Sequence, residues 1–248
     1  TDEACDDDGP ITLTGGSPAG GTYSGTGVTG GSFVPSSVSP GTYTVTYTFT
    51  DGNGCSNTAT GDFTVNPLPT VALTLGTDQA CADETAVSLT GGSPAVGTYS
   101  GPGVTGSTFN PSAVGPGTYT ITYSFTDGNG CSNTATDDIT VDPLPTVTLS
   151  LGDDEACADE APISLTGGSP AGGTYSGPGV TGATFDPAAV GVGSYTITYT
   201  FTDGNGCTNT ATDDFIVRPQ PAAPTASSNS PICEGETLNL TATTVTGA

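Results

Sequence analysis

The sequence predicts an all-β chain built from small sandwiches in tandem, and three observations carry that prediction. One segment of about 76 residues recurs almost unchanged, a period in the range of repeat architectures. Cysteines at 5, 81, 157 and 233 keep that interval, and so does a second series at 55, 131 and 207. Leu89-Thr90-Gly91-Gly92-Ser93-Pro94 returns as Leu165-Thr166-Gly167-Gly168-Ser169-Pro170. Inside each copy the apolar residues alternate with period two and no helical stripe occurs. Turn signals rich in Gly, Pro, Asn and Asp separate these short runs. Serial copying of one module builds length, valency or a surface, and is a poor route to a single catalytic pocket.

The second copy illustrates the elements in order. Val71, Leu73 and Leu75 alternate with small residues and predict an opening strand. Val87 and Leu89 mark a second strand, Tyr99 a third and Phe109 a short fourth. The clearest strand is Thr118–Phe125, which places Tyr119, Ile121, Tyr123 and Phe125 on one face. Its other face carries Thr118, Thr120 and Thr122, as β-branched hydroxyl residues suit a solvated strand. Asp127-Gly128-Asn129-Gly130 tolerates positive φ and predicts a hairpin, after which Ile139 and Val141 lie on the return strand.

Six or seven short strands in one copy fit a small immunoglobulin-like sandwich. Gly115-Pro116-Gly117-Thr118-Tyr119 also puts a tyrosine where such sandwiches have their corner tyrosine. The predicted fold is therefore all-β: tandem immunoglobulin-like β-sandwich repeats of about 76 residues forming an elongated rod. Modules about 30 Å long would follow from strands of ~8–10 residues, so three in line would reach on the order of 100 Å. Pro67-Leu68-Pro69, Pro143-Leu144-Pro145 and Arg218-Pro219-Gln220-Pro221 supply short, semi-rigid joints. The expected boundaries are repeat 1 at 1–66, lacking its first strand, repeat 2 at 67–142 and repeat 3 at 143–218. A partial, divergent module occupies 219–248, where the text changes to Ser230-Pro231-Ile232-Cys233-Glu234-Gly235-Glu236-Thr237.

Composition excludes much chemistry. The 248 residues carry 25 acidic side chains against one basic residue, Arg218, for a formal charge of −24, with no histidine, methionine or tryptophan. Without imidazole or lysine, the usual general base, zinc ligand, Schiff-base amine and partner of a serine nucleophile are all absent. No catalytic residue is assigned and no enzyme activity is expected. Nucleic acid is not an expected partner, since its binding rests on Lys and Arg neutralising phosphates. Lys–Asn isopeptide bracing is equally excluded, so covalent bracing falls to sulfur. No apolar run approaches the ~20 residues of a membrane span and no signal peptide is visible. The text starts inside one repeat and stops inside another, which reads as a fragment of a longer secreted protein.

Cys5, Cys55, Cys81, Cys131, Cys157, Cys207 and Cys233 have disulfide spacing rather than metal spacing, which implies an oxidising, extracellular location. Two pairings suggest themselves. The within-repeat scheme joins Cys5–Cys55, Cys81–Cys131 and Cys157–Cys207. The cross-joint scheme joins Cys55–Cys81, Cys131–Cys157 and Cys207–Cys233. The first is preferred because each module can then oxidise alone, and a ~50-residue loop would add roughly 4 kcal/mol. Strand parity stands against it, because the first turn and the last hairpin of a sandwich lie at opposite poles.

Acidic residues gather near the first cysteine (Asp6, Asp7, Asp8; Asp83, Glu84; Asp153, Asp154, Glu155, Asp159, Glu160), at the hairpin tip (Asp51, Asp127, Asp203) and on the last strand (Asp137, Asp138, Asp213, Asp214). Calcium is the cofactor such oxygens would suit, with Asp51, Asp83, Asp127, Asp137, Asp138, Asp159, Asp203, Asp213 and Asp214 as candidate ligands. A solvated anionic surface is the alternative reading. Counting by twos from Val141 puts Asp137 on the inward face, as a bulge or as an inward charge protecting an edge strand.

The combined text Leu165 to Val180, then Phe185-Asp186-Pro187, Gly193-Ser194-Tyr195-Thr196-Ile197-Thr198-Tyr199 and Asp203-Gly204-Asn205-Gly206-Cys207, resembles the tandem immunoglobulin-like repeats of large Bacteroidetes surface adhesins. Gliding-motility adhesins of the SprB type are among these. The resemblance covers essentially the whole chain. It implies type IX secretion and a filament at the bacterial cell surface, attached to the outer membrane. It also implies a stalk that spaces an adhesive tip and transmits force during attachment or gliding. The implied partners are surface polysaccharide or substratum reached through the parent protein, neighbouring repeats end to end, and cell-surface motility machinery. The alternative function is that the repeats themselves bind polysaccharide or a partner protein.

Overall fold

The computed structural model describes residues 2–242, which divide into two compact units, Thr1–Asp142 and Pro143–Ala248. Repeat 2, in the first unit, shows the module in full. It runs β1 (Ala72–Leu73), β2 (Gln79–Cys81), β3 (Val87–Ser88), β4 (Gly92–Ser93), β5 (Thr98–Ser100), β6 (Val104–Thr105) and β7 (Thr108–Phe109). A one-turn helix, α1 (Pro111–Val114), leads into β8 (Gly117–Thr126) and β9 (Ser132–Asp142). The main sheet has the order β5-β8-β9-β2, and β3-β7-β6 and β4-β1 form two smaller sheets.

The alternation in β8 does what its pattern predicts. It pairs antiparallel with β9 from Gly117↔Val141 to Thr126↔Ser132, without a bulge. Ile121, Ile139 and Val141 from this ribbon meet Val87, Leu89 and Phe109 from the smaller sheets, and Leu75 closes the same core. Burial of each such side chain is worth about 1.5–3 kcal/mol. Tyr119 is a corner tyrosine: its hydroxyl donates to the carbonyls of Val114 (2.8 Å) and Gly115 (3.0 Å). Tyr123 spans the module differently, donating to the Pro94 carbonyl (2.6 Å) while accepting the Gly97 amide (2.7 Å). A Cβ on Gly97 would overlap the Tyr123 ring, which explains part of the repeated glycine text.

Three features depart from the expectations above. The helix α1 is a turn that period-two analysis passes over, although Pro111 at its start and Gly115 at its end (φ 78°) are helix boundary residues. The strand β2 runs parallel to the end of β9, Cys81 opposite Asp142. Asp137 does not bulge: it keeps its place in the ladder opposite Ile121, and its carboxylate accepts the Leu75 amide at 2.8 Å, pinning the opening strand to the core.

Repeats 1 and 3 use the same plan. Their main sheets comprise Thr22–Ser24, Gly41–Thr50, Ser56–Asn66 and Glu3–Cys5 in one, and Thr174–Ser176, Gly193–Thr202, Thr208–Arg218 and Glu155–Cys157 in the other. Repeat 3 repeats the β4-β1 pair as Thr148–Leu149 with Gly168–Ser169. In repeat 1 that pair has no counterpart among the described residues. Within 219–248, Ala226–Ser228 pairs with Leu240–Ala242, and residues 243–248 of the expected partial module lie outside the described residues.

Candidate functional site: the stapled joint

The sulfur chemistry concentrates at the joint between repeats 1 and 2. Glu3–Cys5 lies parallel to the last strand of repeat 1, with Cys5 opposite Asn66, so Cys5 sits where that repeat ends. The chain then passes through Pro67-Leu68-Pro69 into β1. Cys131 follows the β8–β9 turn, and its side chain is fully buried. Cys5 and Cys131 form a disulfide, with 5.5 Å between their Cα atoms and a sequence separation of 126.

This pairing overturns both schemes read from the sequence. Cys5 does not bond Cys55, Cys131 bonds neither Cys81 nor Cys157, and the thiols of Cys55, Cys157 and Cys233 are free and exposed. Cys81 and Cys207 are each disulfide-bonded. The physical reason is strand polarity. Cys81 is opposite Asp142, at the far end of β9 from Cys131. Eleven residues of strand at ~3.3 Å each separate them by roughly 35 Å, whereas a disulfide needs Cα atoms within about 7 Å. The parity objection holds, and its resolution is a partner one repeat away.

Carboxylates set both cysteines in place. Asp127 Oδ1 accepts the amides of Asn129 (2.9 Å) and Cys131 (3.0 Å), closing the hairpin tip. Asp8 accepts the Cys5 amide at 2.8 Å, while its own amide donates to the Cys5 carbonyl at 3.1 Å. Glu84, Glu160 and Glu236 accept the amides of Cys81, Cys157 and Cys233 in the same way, each at 3.2 Å. Sequence reasoning groups Asp8, Glu84 and Glu160 with the acidic residues near the first cysteine without giving them this role, and the recurring Cys-x-x-Asp/Glu spacing is the signal that identifies it. Asn133 also donates to the Pro69 carbonyl at 3.0 Å, tying the hairpin to the linker.

The candidate calcium ligands are dispersed over these roles. Asp51 and Asp203 cap their hairpin tips as Asp127 does. The amides of Cys55 and Asn53 hold the Asp51 carboxyl below its ordinary pKa. Asp213 accepts the Leu151 amide at 2.9 Å, as Asp137 accepts that of Leu75. Asp138 and Asp214 accept hydroxyls of Thr120 (2.7 Å) and Thr196 (2.8 Å). Asp83 and Asp159 lie in the turns after Cys81 and Cys157. Among the described residues no three His, Cys, Asp or Glu side chains come close enough to hold a metal ion. Arg218 makes a two-pronged contact with Glu155 (2.6 and 2.7 Å) that lowers the carboxyl pKa. No described helix is long and apolar enough to cross a membrane.

A family model described as Bacterial Ig domain matches residues 135–215. Among solved structures, a Ca²⁺-stabilized adhesin that helps an Antarctic bacterium bind ice is 20% identical. The match covers 76% of this chain and 60% of that one, with a TM-score of 0.33. A 1.5-MDa bacterial ice-binding adhesin is 19% identical, covering 76% and 79% with a TM-score of 0.30. The SGBP-B protein of the Bacteroides ovatus mixed-linkage glucan utilization locus, solved with a heptasaccharide, is 17% identical, covering 90% and 65% with a TM-score of 0.24. No curated protein sequence matches the chain. The fold is all-β and immunoglobulin-like.

Proposed function

We propose that the chain is a stalk segment of a giant exported adhesin of the gliding-motility class. In this reading it spaces an adhesive tip from the outer membrane and transmits force to the substratum. Type IX secretion would deliver it, and motility machinery at the cell surface would move it. The observation that supports the reading is the Cys5–Cys131 bridge. A polypeptide joint under tension is carried by its single backbone strand. Here a second covalent route runs beside Pro67-Leu68-Pro69, so bending and extension of the linker are limited by sulfur as well as by proline. A surface with a formal charge of −24 also keeps neighbouring stalks apart in dilute salt. Electron microscopy of the oxidised chain should show a beaded rod on the order of 100 Å long. A compact globule would overturn the reading.

A further inference from the structure

The anchor points of the staple decide how tension crosses the joint between repeats 1 and 2. Cys5 ends the short strand Glu3–Cys5, which lies along the last strand of repeat 1 with Cys5 opposite Asn66. Cys131 stands one residue before β9, whose eleven residues end at Asp142, where repeat 2 ends. A covalent route therefore runs from Asp2 through Glu3–Cys5, across one sulfur–sulfur bond, and along β9 to Asp142. The chain from Asp6 to Gly130 hangs between two cysteines whose Cα atoms are 5.5 Å apart.

This short route has almost no slack. A strand rises ~3.3 Å per residue, and a chain pulled straight reaches at most ~3.6 Å. Tension on the eleven residues of β9 can thus gain only about 4 Å. The strand is also held on both flanks: Ser132 to Val141 pair with β8, and Thr140 to Asp142 pair with β2. Two side chains add ties, Asp137 to the Leu75 amide (2.8 Å) and Asn133 to the Pro69 carbonyl (3.0 Å). Cys131 is fully buried, so load enters β9 from within the packed module rather than from a loose loop.

We propose that the Cys5–Cys131 bond takes the folded bodies of repeats 1 and 2 off the force path and leaves β9 as the load-bearing element of the joint. Force speeds unfolding in proportion to the length gained on the way to the transition state. Between Cys5 and Cys131 that gain is nil while the bond holds, because unravelling the loop moves neither cysteine away from the other. Tension does no work on the two small cores, which need only thermal stability. A bond within repeat 2, such as Cys81–Cys131, would leave Pro67-Leu68-Pro69 and all of repeat 1 under load. The shielding extends well beyond the linker itself. It holds for tension of any origin and does not depend on the stalk reading.

Single-molecule stretching of the full chain tests this. Handles are attached through azide-bearing residues at the exposed positions 2 and 143, so no thiol is used. Peptide mapping by mass spectrometry first establishes that Cys5 and Cys131 are joined. The stapled chain should stretch to less than about 100 Å between the handles, and the Cys5→Ser, Cys131→Ser chain to about 500 Å. Stretched length does not require the variant to fold. A dye pair at the exposed positions 19 and 52 of repeat 1 gives a second readout. Its energy transfer should stay constant in the stapled chain at pulls that lengthen the variant. Cys5 and Cys131 found unjoined, a stapled chain stretching beyond about 100 Å, a variant no longer than the stapled chain, or transfer lost from the stapled chain under load would each overturn the proposal. A compact globule in electron microscopy would refute the stalk reading and leave these lengths unchanged.

Discussion

Replacing Cys5 and Cys131 together by serine should weaken both repeats of the first unit, because the loop they close belongs to neither alone. With both repeats unfolded the bridge spans a sequence separation of 126, which in the chain-entropy account is worth about 5 kcal/mol. Partial opening is restrained as well. If repeat 2 opens while repeat 1 stays folded, Cys5 remains beside Asn66, and the bridge closes the segment from Asn66 to Cys131. That shorter loop is worth about 4 kcal/mol. The same reasoning applies to repeat 1 opening against a folded repeat 2. A within-repeat bond would protect only its own module. Native-state hydrogen exchange on Gly41–Asn66 and Gly117–Asp142 reads the two separately. Both should lose roughly three orders of magnitude of protection in the double variant. Loss confined to one repeat, or a change under about tenfold in both, would refute the shared restraint.

Asp137→Ala should destabilise repeat 2 by about 1.5–3 kcal/mol in urea unfolding, since the part-buried Leu75 amide loses a charged acceptor. Tyr119→Phe should cost about 1 kcal/mol by the same measurement, because two carbonyls at the end of α1 lose their shared donor. Arg218→Gln should let Glu155 titrate near its ordinary value of 4.5 by carbon NMR. The carboxyl pKa is lowered in the folded chain, so the pair stabilises above the ordinary value and the contribution disappears as pH falls through the lowered one. That acid-side component should be missing in the variant. Calcium should raise the melting temperature no more than magnesium at equal ionic strength, because the hairpin-tip and last-strand carboxylates already accept protein donors. A calcium-specific rise above about 4 °C, more than about 1 kcal/mol for a unit of this size, would contradict this.

Much of the fold is legible in the sequence because its signals are local. Alternation in Thr118–Phe125 needs only neighbouring residues, and so do the Asp127–Gly130 turn and the glycine-flanked corner tyrosine. The strand Gln79–Cys81 escapes such reading because so short a run cannot show a period, and its parallel partner lies at the far end of the repeat. Alternation marks Asp137 as inward but leaves its role open. That role as an acceptor depends on Leu75, which approaches from the opposite end of the repeat. The carboxylates three positions after each first cysteine are visible in the text, yet only the hydrogen bonds to the cysteine amides give them a purpose.

By itself the sequence determined the repeat length, the β architecture and the absence of imidazole and lysine chemistry, since each follows from residue type and spacing along the chain. Only the tertiary structure decided which sulfurs meet. Every cysteine of one series is equivalent to the others in a periodic text, so spacing alone cannot separate a bond inside a module from one between modules. The direction of the last strand separates them in the first unit: Cys5 sits at the exit end of repeat 1, where the hairpin tip of repeat 2 that carries Cys131 arrives.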